Sequence, residues 1–529
     1  MLILQDITYI HPDREMLFSG INFVANTHQK IALIGNNGTG KSTLLKLMSG
    51  TLTPSGGVVK SASTPYYVPQ IVGQYNDDTV AEVLLVSDKV KAMNEILAGN
   101  ASEENFRMLD DDWTIEERCH EAFAFWKLED VHLSTRMSAL SGGQKTKVFL
   151  AGILIRQPQI VLLDEPSNHL DTTSRELLYQ YIRNTNHTLV VVSHDRVLLN
   201  LLPTVCELSE KGVTTYGGNY DFYVAQKQLE NEAQYQDLQH REKALRKARE
   251  TERQAIERQQ KLDARGKKKQ EKAGLPTIMM NVFKDKAEKS TSKLKGIHTE
   301  KVEALKQELS QLRTSLPGAD KMKVDMNHSI LHKGKTLVTA KDIQFTYNDQ
   351  TLWSKPLTFQ IASGERLVIK GPNGSGKTTL INLILGKLQP NYGKITKTNF
   401  TSIYIDQDYS LIDNKLTVYE QAQAYNSGSL QEHDVKIRLN RFLFTSEEWD
   451  KPCNTLSGGE RMRLMLCMLT IANQAPDIIV MDEPTNNLDL QNLRVLTDAV
   501  DEYKGTLIVV SHDDYFLKEI GVDKIIELS

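Results

Sequence analysis

Residues 35–42 read GNNGTGKS, and residues 371–378 read GPNGSGKT. Both have the form G-x-x-x-x-G-K-[ST]. Each follows an apolar strand-like run (IALIG, RLVIKG) and precedes an apolar-periodic stretch (TLLKLMSG, TLINLILG). A phosphate-binding loop requires that strand–loop–helix setting. Its glycines let backbone N–H groups curl around phosphate oxygens, and the helix N-terminus adds a favourable dipole. The candidate loop residues are Gly35, Asn36, Asn37, Gly38, Thr39, Gly40, Lys41, Ser42 and Thr43 in the first copy. In the second they are Gly371, Pro372, Asn373, Gly374, Ser375, Gly376, Lys377, Thr378 and Thr379. Lys41 and Lys377 are expected to reach the β- and γ-phosphates, and Ser42 and Thr378 to ligate Mg²⁺.

Working outward, each loop heads the same series of motifs. LSGGQ follows at 140–144 and LSGGE at 456–460, then IVLLDEPSNHLD at 160–171 and IIVMDEPTNNLD at 478–489, then SHD at 193–195 and 511–513. Two complete series in one order make the chain a tandem duplication. The expected domains are 1–222 and 335–529, joined by a linker over 223–328. The IVLLDE-type runs suit buried parallel strands carrying charge at their C-terminal tips, where ligands sit in open α/β sheets. Asp164 and Asp482 are expected to hold the Mg²⁺ shell, and Glu165 and Glu483 to polarise an attacking water. His194 and His512, each after an apolar strand, are placed to contact the γ-phosphate region. The serine and glycines of LSGG, opening a helix, form a second anion-binding end.

Composition bounds the class. The chain has 529 residues, 40% apolar and 25% charged, so two or more globular domains are expected. No run of 18 apolar residues suggests a membrane helix, and MLILQDITYI reads as a first strand instead of a signal peptide. The scattered cysteines Cys119, Cys206, Cys453 and Cys467 show no C-x-x-C spacing and read as buried thiols in a cytoplasmic protein. The net charge of −4 hides an asymmetry. From Arg241 to Lys295 there are 18 Lys/Arg against 8 Asp/Glu, whereas the rest of the chain holds 45 against 59. A basic middle in an acidic body points to a polyanionic partner.

The motif series resembles the ATP-binding cassette family over both halves. In that family each nucleotide is held between one domain's phosphate loop and the other's LSGG helix. The resemblance implies two composite ATP sites with Mg²⁺. Site one pairs Lys41 and Glu165 with Ser457 and Gly459, and site two pairs Lys377 and Glu483 with Ser141 and Gly143. Gly142, Gln144, Gly458 and Glu460 of the same motifs are further candidate nucleotide-binding residues. Gln70 (YYVPQ) and Gln407 (IYIDQ) match the family's glutamine loop, beside the metal and water, and Tyr9 and Tyr347 match the aromatic that stacks on adenine. Both sites keep their catalytic residues, so two competent ATPase sites are implied.

Two fused cassettes without a membrane part, the EPSNHLD and EPTNNLD stretches, YGGNYDFYVAQK and a charged linker resemble the ABC-F group more narrowly. That group comprises ribosome-binding translation factors and antibiotic-resistance (ribosome-protection) proteins. Asn487 departs from the histidine usual in the group, which His169 keeps, so the two sites need not hydrolyse ATP equally. The implied partners are rRNA and tRNA at the ribosomal exit and peptidyl sites, for a monomer whose cassettes pair within the chain.

The linker carries two heptad seams. Leu238, Leu245, Ala248, Ala255 and Leu262 are spaced by 7, 3, 7 and 7, and Val302, Leu305, Leu309, Leu312 and Leu316 by 3, 4, 3 and 4. Separated by Gly274-Leu275-Pro276, they predict a helical hairpin with arms of about 35–40 residues, projecting roughly 50–60 Å. Its tip, about 265–290, combines lysines with Ile278, Met279, Met280, Val282 and Phe283, a mixture suited to phosphates and splayed bases. The loop lysine lies 100 residues before LSGG in the first half and 80 in the second, which places a short arm insertion at about 82–121. A short arm with an elaborate tip leans towards ribosome protection over a housekeeping translation role. A transporter ATPase subunit, a DNA-repair or chromosome ATPase and a non-enzymatic scaffold are the rival classes. The first lacks its membrane domain here, the second its zinc cysteines or far longer coiled coil, and the third is at odds with two intact glutamates. The fold class expected is α/β: two tandem phosphate-loop cassettes joined by a long α-helical hairpin.

Overall fold

The apolar runs flanking the motifs become the strands of two parallel sheets. In the first half IALIG forms Lys30–Ile34, IVLLD forms Ile160–Asp164 and TLVVV forms Thr188–Val192. The last two are buried at every position, as continuous Val/Ile/Leu runs must be when helices cover both faces. The strand order is Tyr66–Val68, Ile160–Asp164, Thr188–Val192, Lys30–Ile34, Thr204–Ser209, Gly212–Tyr216. All pairings are parallel except the final hairpin. The second half repeats the pattern with Ser402–Ile405, Ile478–Asp482, Thr506–Val510, Arg366–Lys370 and Lys524–Glu527, all parallel. The computed structural model describes residues 1–70, 73–209, 211–273, 300–309, 331–347, 350–372, 374–428, 430–486 and 488–528.

Each half adds a three-stranded antiparallel sheet. The expected first strand is Leu2–Ile10, lying between Met16–Ala25 and Gly56–Ser61. Its counterpart Thr336–Gln344 lies between Leu357–Ala362 and Tyr392–Lys397. Alternate residues of Leu2–Ile10 (Leu2, Leu4) turn inward and meet Ile31, Leu44, Leu45 and Leu162 in one core, which clamps the helix after the first phosphate loop between the two sheets. Leu337, Ile369, Leu380, Ile381 and Val480 do the same in the second half. The four cysteines are buried and unpaired.

Between the helices Val80–Val83 and Ile115–Phe125 the first half inserts a packed pair, Ser87–Leu97 and Glu103–Leu109. Asp112 ties it down through Lys89 at 3.2 Å and Arg118 at 2.7 Å. The second half passes from Val418–Ala424 to Glu432–Arg441 with no described helix between. The extra spacing before the first LSGG resides in this pair.

The chain divides into two compact units, Met1–Asp221 with Met322–Ser529, and Phe222–Lys321. Among the described residues the second unit comprises most of the 54-residue helix Tyr220–Ala273 and a helix over 300–309. At 1.5 Å per residue the long helix spans about 80 Å, more than the expected arm. Its half-buried positions Tyr235, Leu238, Arg241, Leu245, Ala248, Glu252 and Ala255 recur every three or four residues, whereas Leu262 is exposed. Val302 and Leu305 are half-buried and Leu309 is buried, and Arg241 pairs with Glu308 at 2.8 Å. Both seams therefore have an inward face where described. Leu312 and Leu316, Gly274-Leu275-Pro276 and the apolar cluster from Ile278 to Phe283 lie outside the described residues.

Candidate nucleotide sites

The phosphate loops have the conformation their glycines allow. Gly40 takes φ 90°, and a Cβ there would come within 2.7 Å of Leu17 and 2.8 Å of Phe18, so glycine is required twice over. The helices Lys41–Met48 and Lys377–Leu385 begin with no side-chain cap, which leaves their first N–H groups for a ligand. Each loop lysine folds back on carbonyls of its own loop. Lys41 Nζ donates to Gly35 O at 2.8 Å and Asn36 O at 2.9 Å, and Lys377 Nζ to Gly371 O at 2.8 Å and Pro372 O at 3.1 Å. Burial lowers the Lys41 pKa, against the pull of Glu165, Asp489 and Asp164. Thr39 Oγ1 donates to Asn36 O at 2.9 Å and closes the loop's turn.

The hydroxyl and carboxylate expected to share a metal lie together in both halves. Ser42 Oγ donates to Asp164 Oδ1 at 3.1 Å, and Thr378 Oγ1 to Asp482 Oδ2 at 3.4 Å. Hard oxygens of this kind fit Mg²⁺, which keeps phosphate and water among its ligands. Two tyrosines absent from the sequence expectations complete the pairs: Tyr67 Oη donates to Asp164 Oδ2 at 3.0 Å and Tyr404 Oη to Asp482 Oδ2 at 2.9 Å. Each stands three residues before a glutamine-loop glutamine, and that matched spacing was the readable signal.

Glu165 and Glu483 both adopt left-handed φ, 50° and 49°, which is strained for a residue with a Cβ. Their N–H groups donate to Val192 O and Val510 O, both at 2.8 Å, so the neighbouring strand holds the turn. His194 Nε2 lies 3.2 Å from Glu165 Oε1, and His512 Nε2 3.3 Å from Glu483 Oε1. Burial pushes Glu165 up to about 8, assisted by Asp164 and opposed by Lys41. Glu483 is raised by burial to about 7, with Arg175 and Lys377 pulling it down. Burial lowers His194 to about 3 and His512 to about 4, so both imidazoles are neutral at pH 7. Each pair is therefore a close contact of an uncharged imidazole and not an ion pair, with Glu165 Oε1 and His512 Nε2 left without a hydrogen-bond partner.

The halves complete each other's cavities. The first, of 430 Å³, is walled by Lys41, Ser42, Thr43, Gln70, Asp164, Glu165 and His194 from one half and by Ser457 from the other. Asn37 N–H crosses to Asp489 Oδ2 at 3.0 Å. The second, of 620 Å³, is walled by Lys377, Thr378, Thr379, Gln407, Asp482, Glu483 and His512, faced by Ser141, Gly142, Gly143, His169 and Arg175. Thr172 Oγ1 and His512 Nδ1 are 2.9 Å apart across the halves.

Some expectations shift. Tyr347 lines the second cavity, 52% exposed, but Tyr9 is half-buried, with its ring against Phe18 and edge-on to His11. The first-cavity wall carries His11 instead. Aligning DITYIH with DIQFTY explains this: Tyr9 repeats as Phe345, and His11 repeats as Tyr347. Gly458 and Gly459 stand off the first cavity, whose wall Ser457 alone of that motif reaches. Gln144 and Glu460 close capping boxes, accepting from Ser141 N–H at 2.9 Å and Ser457 N–H at 2.7 Å, so those side chains are spent on their own helices. Glu460 also binds Lys451 at 2.6 Å. His169, read as a feature of the first half, lines the second half's cavity. Asn373 and Asn487 lie outside the described residues. Among the described residues no group of three His, Cys, Asp or Glu is placed to hold a metal, and no helix is long and apolar enough to cross a membrane.

Two phosphate loops, each facing the other half's serine–glycine helix, define a protein of paired ATP-binding cassettes. The family model described as ABC transporter matches residues 18–168 and 354–486. The putative ATP-binding protein YdiF of Bacillus subtilis is 30% identical over 97% of this chain and 78% of its own length. ABC transporter F family member 2 of Arabidopsis thaliana is 29% identical over 94% and 72%, and the ATP-binding protein Uup of Haemophilus influenzae is 29% identical over 93% and 73%. Among solved structures, the archaeal ribosome recycling factor aABCE1, in complex with the ribosomal stalk protein aP1, shares the fold. Its TM-score is 0.61 at 20% identity, over 99% of this chain and 87% of that one. The chain belongs to the ATP-binding cassette family and, within it, to the ABC-F group.

Proposed function

We propose that the protein is an ATP-driven, ribosome-binding switch that works as a monomer in the cytoplasm. The observation that carries this reading is the reciprocal wall: Ser457 completes the cavity of Lys41, and Ser141 that of Lys377. A ligand that bridges both walls favours the closed pair, because only closure uses both half-sites. Lys41 and Lys377 leave their loop carbonyls for the β- and γ-phosphates, and the uncapped helix N-termini add N–H donors. Ser42 with Asp164, and Thr378 with Asp482, hold Mg²⁺ beside Gln70 and Gln407. The metal supplies charge neutralisation at the phosphates. Glu165 and Glu483 orient the attacking water, and His194 and His512 contact the γ-phosphate region as neutral donors. Tyr347 stacks on adenine in site two, and His11 takes the equivalent place in site one. Hydrolysis to ADP and phosphate reopens the halves.

The partner reading rests on the basic linker and on the ribosome-associated name of the structural neighbour aABCE1. In it the hairpin enters the tRNA exit site and meets rRNA and tRNA, the lysines on phosphates and the apolar tip on bases. Ribosome protection, in which the tip displaces a bound antibiotic, is supported by the short helical arm beside a long linker. The second reading is a translation factor that modulates tRNA and peptidyl-transferase function without drug resistance.

The test is to sediment ribosomes with the Glu165→Gln/Glu483→Gln protein in the presence and absence of ATP. ATP-dependent co-sedimentation is expected, and its absence refutes the ribosome reading. Replacing Ile278, Met279 and Met280 with glycine in a host that gains drug tolerance from the protein separates the two readings. Lost tolerance supports protection. Tolerance unchanged across several drug classes argues against a drug-displacing tip, and a host that gains no tolerance from the unaltered protein supports the translation factor.

A further inference from the structure

The helices that follow the two DEP segments, Thr172–Asn184 and Leu490–Glu502, begin alike: Asp171 accepts from Ser174 N–H and Asp489 from Asn492 N–H, both at 2.8 Å. The equivalence fixes the register, so Thr172 repeats as Leu490 and Arg175 as Leu493. Leu493 does what an inward helix position should do, 2% exposed within the second half's core. Arg175 does not join a core. Its Nε donates to Leu170 O at 3.1 Å, and the residue lines the wall of the second cavity with Lys377, Glu483 and Tyr347.

The consequence is a difference in charge. The Lys, Arg, Asp and Glu residues described in the second cavity wall are Lys377, Arg175, Asp482 and Glu483, which balance. In the first cavity Lys41 is the one cation beside Asp164 and Glu165, so with the carboxyl groups in the same state the first cavity has one positive charge fewer than the second. The Thr172–His512 contact at 2.9 Å has the same asymmetry, because Leu490 has no hydroxyl to offer His194. A structural role as a carbonyl cap would account for Arg175 Nε but not for a guanidinium beside the glutamate of the opposite half. Planar guanidinium groups with several donors are the side chains best suited to phosphate oxygens.

We propose that Arg175 is a phosphate-binding residue supplied in trans to site two, and that site two therefore holds ATP more tightly than site one. The inference rests on the ATP reading of the two cavities and adds to it an inequality between them. Because Arg175 stands beside Glu483, its contact is with the terminal phosphate, so ATP depends on it and ADP does not.

The test uses the full chain with each site isolated: Lys41→Ala leaves site two, and Lys377→Ala leaves site one. Binding of Mg²⁺ with mant-ATP or mant-ADP is titrated with and without Arg175→Leu, the substitution the repeat itself makes. Loss of a charge-assisted contact predicts mant-ATP affinity about tenfold or more weaker at site two, with mant-ADP within about twofold and site one unchanged. Arg175→Lys, which keeps the charge, is expected to recover part of the affinity. Unchanged mant-ATP binding at site two, or equal losses at both sites or for both nucleotides, overturns the proposal. Failure of the unaltered chain to bind mant-ATP refutes the underlying ATP reading instead.

Discussion

Gly142 and Gly143 are adjacent, occupy the first turn of the helix Gly142–Arg156, and belong to one motif, yet they should respond oppositely to alanine. A Cβ on Gly142 would meet His169 Cγ at 3.6 Å, an ordinary contact. A Cβ on Gly143 would meet the His169 backbone oxygen at 2.7 Å, and backbone cannot swing aside. In a helix, glycine to alanine is worth about 0.5–1 kcal/mol of stabilisation, because the unfolded glycine chain has more freedom to lose. Gly142→Ala should therefore be neutral or slightly stabilising. At Gly143 overpacking costs about 1–3 kcal/mol against the same gain. The two variants should differ by about 1–3 kcal/mol, which for a unit of this size is about 2–10 °C in the first thermal unfolding transition. The second half provides a replicate: a Cβ on Gly458 meets nothing within 4 Å, whereas one on Gly459 collides with the Asn492 amide. A side-chain end yields more readily than a carbonyl, so Gly459→Ala should cost less than Gly143→Ala. Nucleotide-free protein followed by differential scanning calorimetry separates these effects from ligand binding. Gly143→Ala melting at or above Gly142→Ala would refute the claim that the DEP segment packs on the second glycine.

Tyr67→Phe with Tyr404→Phe removes one of the donors to each buried aspartate; about 1–3 kcal/mol of stability should be lost, and the Mg²⁺ concentration for half-maximal ATPase should change. Unchanged melting and metal dependence would assign these phenols no part in holding the carboxylates. The raised glutamates predict the pH dependence of the nucleotide-free protein. Between the usual 4.5 and about 8 for Glu165, or about 7 for Glu483, the folded state holds the extra proton, so stability falls as pH rises through that window. The lowered histidines act oppositely, but only up to their ordinary 6.5. From pH 6.5 to 8 the loss should therefore stand alone, and Glu165→Gln/Glu483→Gln should flatten it in melting experiments; an equal slope in the variant contradicts the assignment. Leu309→Ala should destabilise the linker by about 2–4 kcal/mol, read as an earlier loss of helical circular dichroism, whereas Leu262→Ala should change little because Leu262 is already exposed. Equal shifts for the two would place the seam elsewhere.

Much of the cassette architecture was legible because phosphate loops and buried parallel strands are local demands. A loop that wraps phosphate needs glycine at left-handed positions such as Gly40, and a strand covered on both faces needs an unbroken apolar run such as IVLL. The heptad spacing likewise announced the half-buried line through Leu238, Leu245 and Ala248. The sequence does not distinguish Tyr9 from His11 on the first cavity wall, because an aromatic in a strand looks the same whether it faces core or cavity. Only comparison with the second copy, where Tyr347 stands in the position of His11, reveals the offset. Gln144 and Glu460 show that the motif also folds its own helix, because the capping box uses those side chains.

By itself the sequence determined that there are two phosphate loops, two acid-tipped strands and two serine–glycine helix starts, since each is specified within a dozen residues by backbone geometry and burial. The tertiary structure alone decided which further residues of one half reach the other half's cavity. His169, Thr172 and Arg175 are neighbours of the first half's glutamate in the chain, but they project into the second half's site, where Thr172 meets His512 at 2.9 Å. The physical reason is that a contact between residues 340 apart depends on how two packed surfaces meet, and no local spacing encodes that. The inequality of the two sites arises there, from an arginine and a leucine at equivalent positions facing different surroundings.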